Sequence, residues 1–192
     1  DRIRGVELEG GVRIAARAVI VAAGTFLRGV SHTGFTQRRE GRRGDRAAEP
    51  LSASYLALGF EVGRLKTGTP ARLVGSTIDF SRLEPQWGDE PAPRFSFSPP
   101  AESLAQTCCY ITHTNEATHR IIRDNLHQSA RYGGRIQSNG PRYCPSIEDK
   151  IVKFADRDRH QIFLEPQGLT HPEWYPNGLS TSLPAAVQLA FL

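Results

Sequence analysis

The sequence predicts an α/β fold, and three stretches carry that prediction. Val6-Glu7-Leu8-Glu9 and Val12-Arg13-Ile14 alternate apolar and polar residues on either side of Gly10-Gly11, a hairpin pattern with a two-residue turn. Ala18-Val19-Ile20-Val21-Ala22-Ala23 is an unbroken apolar run ending at Gly24-Thr25, the pattern of a strand buried in a parallel sheet. Further on, Ile147, Ile151 and Phe154 recur at helical spacing ahead of a strand-like Gln161-Ile162-Phe163-Leu164-Glu165-Pro166, so helices alternate with strands.

A length of 192 residues allows one large domain or parts of two. No apolar run is long enough to span a membrane. No signal peptide or lipidation motif is visible, so a soluble, cytoplasmic protein with no membrane partner is expected. Of the 3 cysteines, Cys108 and Cys109 are adjacent. That is neither a disulfide framework nor zinc-ligand spacing, and it points to a reducing compartment. The chain has no methionine, opens inside a strand pattern and stops in an apolar segment, so a fragment of a longer protein is expected. The net charge of +4 permits a nucleic-acid partner without requiring one.

Residues 26–50 read as loop with strand fragments, rich in glycine and arginine. Arg38, Arg39, Arg42, Arg43 and Arg46 crowd this segment and can neutralise phosphates; a solvated loop is the alternative. Only Phe35 interleaves with them, so no stacking platform for single strands is indicated. Residues 51–58 read as a short helix stopped by Gly59. Gly63-Arg64-Leu65-Lys66-Thr67-Gly68-Thr69-Pro70 follows in extended form, with Arg64 and Lys66 on one face. Two cations with threonine hydroxyls can hold an anion, or they are solubilising charges on an edge strand.

From residue 71 to about 139 the composition shifts. Pro85, Pro91, Pro93, Pro99 and Pro100 make an irregular stretch in which Trp87, Phe95 and Phe97 are expected to pack on a sheet. Cys109-Tyr110-Ile111-Thr112-His113 reads as a strand. Thr114 or Asn115 then caps a helix running to about His127, with Ile121, Ile122 and Leu126 facing inward. Gly133-Gly134 ends the region. His113, His119 and His127 fit no short zinc motif and read as surface or hydrogen-bonding histidines, so no metal is expected.

The most informative stretch is Gly140-Pro141-Arg142-Tyr143-Cys144-Pro145-Ser146-Ile147-Glu148-Asp149-Lys150-Ile151-Val152-Lys153-Phe154. It reads as a tight turn that sets a cysteine at the mouth of a short helix. Pro145 suits the first helical position; with Ser146 and Asp149 as a capping box, it falls just before the cap instead. Ile147, Ile151 and Phe154 give one buried face, while Glu148 and Asp149 early with Lys150 and Lys153 later suit the helix dipole. A thiol there, two residues from Arg142, loses its proton more readily than a free cysteine, and free N–H groups at the helix start can hold a phosphate. The alternative is a small core residue beside a surface charge. Beyond it, Asp156-Arg157-Asp158-Arg159-His160 is charged and Asn177-Gly178 marks a turn. The hydroxyls of Ser180-Thr181-Ser182 before Pro184 line a cleft or cap the last helix.

Several of these blocks resemble the MnmG (GidA) family: Gly140 to Lys150 with Lys153-Phe154, the run from Gly63 to Pro70, Gly41-Arg42-Arg43-Gly44-Asp45, Cys109 to Glu116, Gly168-Leu169-Thr170 and Tyr175 to Pro184. The resemblance covers essentially the whole chain. It implies part of a two-dinucleotide-binding-domain (glutathione-reductase-like) flavoprotein with an inserted α/β domain. Residues 1–70 would be a partial FAD-binding domain and adjoining sheet, 71–139 the inserted domain, and 140–192 the NAD-binding motif and the return to the main domain. It places Gly24, Thr25 and Ala48 near FAD. At Ala48 the family usually carries a small polar residue, so a side-chain hydrogen bond to the flavin is lost or replaced. Residues 140–154 correspond to the NAD-binding stretch, and Arg42, Arg43, Arg64 and Lys66 become candidates for an anion or tRNA. The glycine fingerprint of the flavin domain would lie upstream of Asp1, so the isolated fragment is expected to be inactive.

The family's activity is modification of the tRNA wobble uridine at C5 with FAD, NADH and methylenetetrahydrofolate, giving a (carboxymethyl)aminomethyl group. Its members form homodimers within a heterotetramer with the GTPase MnmE, in the bacterial cytoplasm or, for organellar homologues, the mitochondrion. Cys144 is then the candidate nucleophile, adding to C6 of uridine to activate C5. Competing readings are a folate- and FAD-dependent tRNA uridine C5-methyltransferase (TrmFO-like) and a non-catalytic tRNA-binding fragment.

Overall fold

Strand partners decide this fold more than local pattern does. The computed structural model describes residues 2–98, 105–140 and 144–192. Pro99 and Pro100, and Pro141, Arg142 and Tyr143 of the central motif, lie outside the described residues. The chain divides into two compact units, Asp1–Ser31 with Arg38–Val62, and His32–Gln37 with Gly63–Leu192.

In the first unit β1 (Gly5–Glu7) and β2 (Arg13–Ala15) form the expected hairpin, with Val6 opposite Ile14. Gly10 and Gly11 take φ of 89° and 81°, which a side chain would resist. Strands β3 (Val30–Thr33), β4 (Thr36–Arg42) and β5 (Asp45–Arg46) follow in one sheet, in that order, with residues 32–37 of β3, β4 and their turn counted in the second unit. Helix α1 (Glu49–Ala57) starts two residues before its expected position, because Pro50 is tolerated in the first turn, where no N–H is needed. Residues 18–23 correct the sequence reading. They form no strand, and Ile20 is 93% exposed. A strand exists through a ladder of hydrogen bonds to a neighbour, and no described strand lies alongside this run.

The second unit holds a five-stranded antiparallel sheet. Its strands are β6 (Leu73–Val74), β7 (Glu84–Gln86), β8 (Cys109–His113), β9 (Gln161–Pro166) and β10 (Glu173–Asn177), in the order β6-β10-β9-β8-β7. Residues 71–139 and 140–192 therefore share one sheet, with Tyr110 opposite Leu164 and Pro176 opposite Leu164 on the other side. Helix α2 (Glu116–Asp124) is capped by Asn115, whose side chain accepts from the Thr118 N–H at 3.0 Å. Helices α3 (Ile147–Lys153) and α4 (Ala185–Phe191) complete the unit. One core joins Ile122 of α2, Ile147 and Ile151 of α3, Ile162 and Leu164 of β9, and Val187 and Phe191 of α4. Each fully buried isoleucine contributes about 2 kcal/mol.

Other expectations fail here for packing reasons. Trp87 is 66% exposed, and Phe95 and Phe97 are fully so; the aromatic cluster is instead Phe80, Tyr110 and Trp174, with ring centroids 4.6–5.8 Å apart. Phe154 closes α3 rather than extending its buried face, since the helix ends at Lys153. Residues 63–70 form no strand, which removes the edge-strand alternative. Pro184 is the N-cap of α4 without any side-chain cap bond, so the preceding hydroxyls do not cap it. No helix among the described residues is long and apolar enough to cross a membrane.

Candidate functional site

The central motif is pinned by its own cap. The Ser146 hydroxyl accepts from the Asp149 N–H at 3.2 Å, and the Asp149 carboxylate accepts from the Ser146 N–H at 3.1 Å. Pro145 therefore sits just before the cap. The Ile147 N–H donates to the Ser180 carbonyl at 2.7 Å. This corrects the expectation of free donors at the helix start: the N–H groups of Ser146, Ile147 and Asp149 are already spent within the protein.

Asp149 also accepts from the Tyr132 hydroxyl at 3.2 Å. Burial works against its charge. The Ser146 N–H and hydroxyl, then Tyr132, then the Lys66 ammonium, prevail and hold its carboxyl below the usual range. Burial first, then the Asp149 charge and hydrogen bond, push the Tyr132 phenol up to about 12.

Glu148 suits the helix dipole by its place in the first turn of α3, a reading that leaves its burial open. The structure buries it fully. One of its oxygens accepts from the Ser129 hydroxyl (3.0 Å), the Ser182 N–H (3.0 Å) and the Ser182 hydroxyl (3.2 Å). The available signal was its place three residues before Ile151, on the inner face of α3, with a hydroxyl run awaiting a partner downstream.

Cys144 is half-buried, so it is not the sealed core residue of the alternative reading. Cys108 is buried; Cys109 is half-buried with its thiol pushed up by burial, then by Glu165 and Cys108. The Lys66 ammonium donates to the Cys144 carbonyl at 3.2 Å, which joins two motif blocks 78 residues apart. Arg64 is exposed, and its charge adds to burial in lowering the pKa of His32.

An open cleft of about 720 Å³ adjoins α3, lined among others by Pro145, Lys150, Phe154, Arg157 and His160. The Lys150 ammonium donates to the Gly178 carbonyl at 3.1 Å, and burial lowers its pKa. His160 is pushed down by burial, then by His119, Lys150 and Arg157. His119, buried, lies 2.7 Å from the Thr114 hydroxyl, as a hydrogen-bonding histidine should. Among the described residues no group of His, Cys, Asp and Glu could hold a metal ion.

The residues expected near FAD belong to the first unit. The Thr25 hydroxyl donates to the Gly41 carbonyl at 2.9 Å. The Ala48 N–H donates to Phe26 at 2.7 Å, and its carbonyl accepts from the Arg28 N–H at 3.2 Å. A Cβ on Gly41 would lie 2.2 Å from the Phe26 ring, so local packing already requires glycine in the Gly-Arg-Arg-Gly-Asp loop. With its N–H and carbonyl engaged, Ala48 has a methyl group as its side chain. Arg42 is paired with Asp45 at 2.7 Å, while Arg43 is exposed.

The sequence profile of the family described as Glucose inhibited division protein A matches residues 1–192. The chain belongs to the GidA family. The GidA-family relative from Geobacter sulfurreducens, "tRNA uridine 5-carboxymethylaminomethyl modification enzyme MnmG", is 57% identical over 97% of this chain and 30% of its own length. The protein of the same name from Thermodesulfovibrio yellowstonii is 52% identical over 100% of this chain and 31% of its own. Aquifex aeolicus GidA in its form I crystal superposes with a TM-score of 0.84 at 52% identity, covering 97% of this chain and 32% of that one. The form II crystal gives 0.81 at 49%. This GidA-family chain thus spans about a third of the curated relatives it matches.

Proposed function

We propose that this chain is the part of a tRNA wobble-uridine-modifying enzyme that presents Cys144 to the base. The carrying observation is the join between Lys66 and the Cys144 carbonyl, which brings two separate motif blocks together at one half-buried cysteine. The relatives' name, tRNA uridine 5-carboxymethylaminomethyl modification enzyme, supplies the substrate class.

The thiolate of Cys144 adds to C6 of the uracil ring, forming an S–C6 bond and moving the C5–C6 π electrons into an enolate. C5 then attacks the methylene carbon of methylenetetrahydrofolate, forming a C5–C bond as one folate C–N bond breaks; glycine or ammonium then replaces the other folate nitrogen, and tetrahydrofolate leaves. Loss of the C5 proton and cleavage of S–C6 restore the double bond and the thiolate. Residues 1–70 would form part of the two-dinucleotide-domain frame that holds FAD, which when bound would accept hydride from NADH. With the N–H groups of Ser146, Ile147 and Asp149 engaged, the cations at the cleft, Lys150, Arg157 and Arg159, are the candidates to meet the phosphates of NADH beside residues 140–154. The partners in this reading are tRNA, a second copy of the protein and the GTPase MnmE, in the cytoplasm.

The test replaces Cys144 by serine in the full-length protein. tRNA from cells lacking the endogenous enzyme is digested and its modified uridines are quantified by mass spectrometry. Loss of the modification by about 100-fold or more, with flavin still bound, is expected of a missing nucleophile. Modification at the wild-type level would remove Cys144 from the chemistry.

A further inference from the structure

One residue distant in sequence bonds both to Asn139 and to Cys144. The Lys66 backbone N–H donates to the Asn139 carbonyl at 2.8 Å, and its ammonium donates to the Cys144 carbonyl at 3.2 Å. Asn139 and Cys144 are thus both bonded to one half-buried residue, the first through its backbone and the second through its side chain. The segment carrying Lys66 is itself wedged in place. A Cβ on Gly68 would lie 3.1 Å from the Ser180 side chain, and the Ser180 carbonyl takes the first N–H of α3 at 2.7 Å. The Lys66 charge also reaches Asp149 of the cap. Its ammonium is thus bonded to the protein's own backbone, which argues against a primary role in holding an external anion.

We propose that Lys66 is a positioning residue for Cys144, its ammonium fixing the cysteine backbone so that the sulfur meets the uracil ring. The catalytic consequence rests on Cys144 being the nucleophile; the placement of the sulfur does not. A misplacement of the order of 1 Å costs about 100-fold in a well-oriented reaction.

The experiment uses the full-length flavoprotein with Lys66→Met, which keeps the apolar stem, and Lys66→Arg, which keeps a cationic donor. Alkylation of Cys144 by iodoacetamide is followed by peptide mass spectrometry, with Cys108 and Cys109 as internal references. Steady-state tRNA modification is measured beside it. In Lys66→Met the Cys144 alkylation rate is expected to change by about fivefold or more while the reference cysteines hold, and kcat to fall by about tenfold or more with KM for tRNA within about twofold. Lys66→Arg is expected to restore most of both. If Lys66→Met does not accumulate, Lys66→Gln, a neutral donor, is read in its place. An unchanged Cys144 alkylation rate overturns the proposal, and so does a rise in KM alone, which would mark Lys66 as a ligand contact. Should Cys144→Ser prove fully active, the nucleophile reading fails, while the alkylation rates still decide the role of Lys66.

Discussion

The phenol of Tyr132 and the carboxylate of Asp149 titrate against each other. Burial, then the Asp149 charge and the hydrogen bond that Tyr132 donates to it, make the phenol's proton worth more in the folded chain than in water. Its ordinary value near 10 rises to about 12. Between those values the unfolded chain has lost this proton while the folded chain keeps it. The contribution is therefore complete below about pH 10 and disappears as the pH rises towards about 12. Asp149 behaves oppositely. Its folded value is depressed, so its contribution is present above the ordinary carboxylate value of about 3.9 and is lost as the pH falls through the folded value. Urea titrations between pH 9 and 12 are expected to show a fall in stability that Tyr132→Phe removes. An identical slope in the variant would mean that the phenol and carboxylate do not communicate.

At the next scale, the turn after β10 is tied to α3 through Lys150. Gly178 has φ of 107°, and a Cβ there would lie 3.0 Å from the Gln161 carbonyl oxygen and 3.2 Å from the Lys150 ammonium. Gly178→Ala therefore combines backbone strain with displacement of the Lys150 bond, and is expected to cost about 2 kcal/mol, read as a lowered urea midpoint. Elements of this kind were legible where one local rule sufficed. The hairpin followed from Gly10-Gly11, α2 from the Asn115 cap, and β9 from an alternation in which Ile162 and Leu164 are buried. Strand β10 was missed because Pro176 argues against a strand. It is tolerated because β6 pairs only with Glu173 and Trp174, leaving the ladder open on that side at Pro176. Residues 18–23 failed in the other direction, since an apolar run specifies burial without supplying a partner. At the site, the cap of α3 was readable because Ser146 and Asp149 are three residues apart. The burial of Glu148 depends on Ser182, 34 residues on, and the Lys66 contact spans 78, distances at which no local pattern speaks.

Across the whole chain the charge of +4 is small, but its distribution is not even. Arg42 is neutralised by Asp45 and Arg46 by Glu9, both in exposed pairs. Arg38, Arg39 and Arg43 are exposed and make no ion pair among the described residues. The cluster read from sequence as five equivalent arginines is thus two paired and three uncommitted, and only the latter can release counterions from RNA at no internal cost. Each phosphate neutralised adds about 0.7–0.9 to the slope of log affinity against log salt. If the three engage tRNA, replacing all of them by glutamine in the full-length protein lowers that slope by about 2–3 while leaving the flavin spectrum unchanged. Paired arginines behave differently: Arg42→Gln also strands Asp45 and shifts the slope little. Filter binding across a salt series distinguishes the cases, and an unaltered slope in the triple variant would identify the three arginines as solvated surface charge.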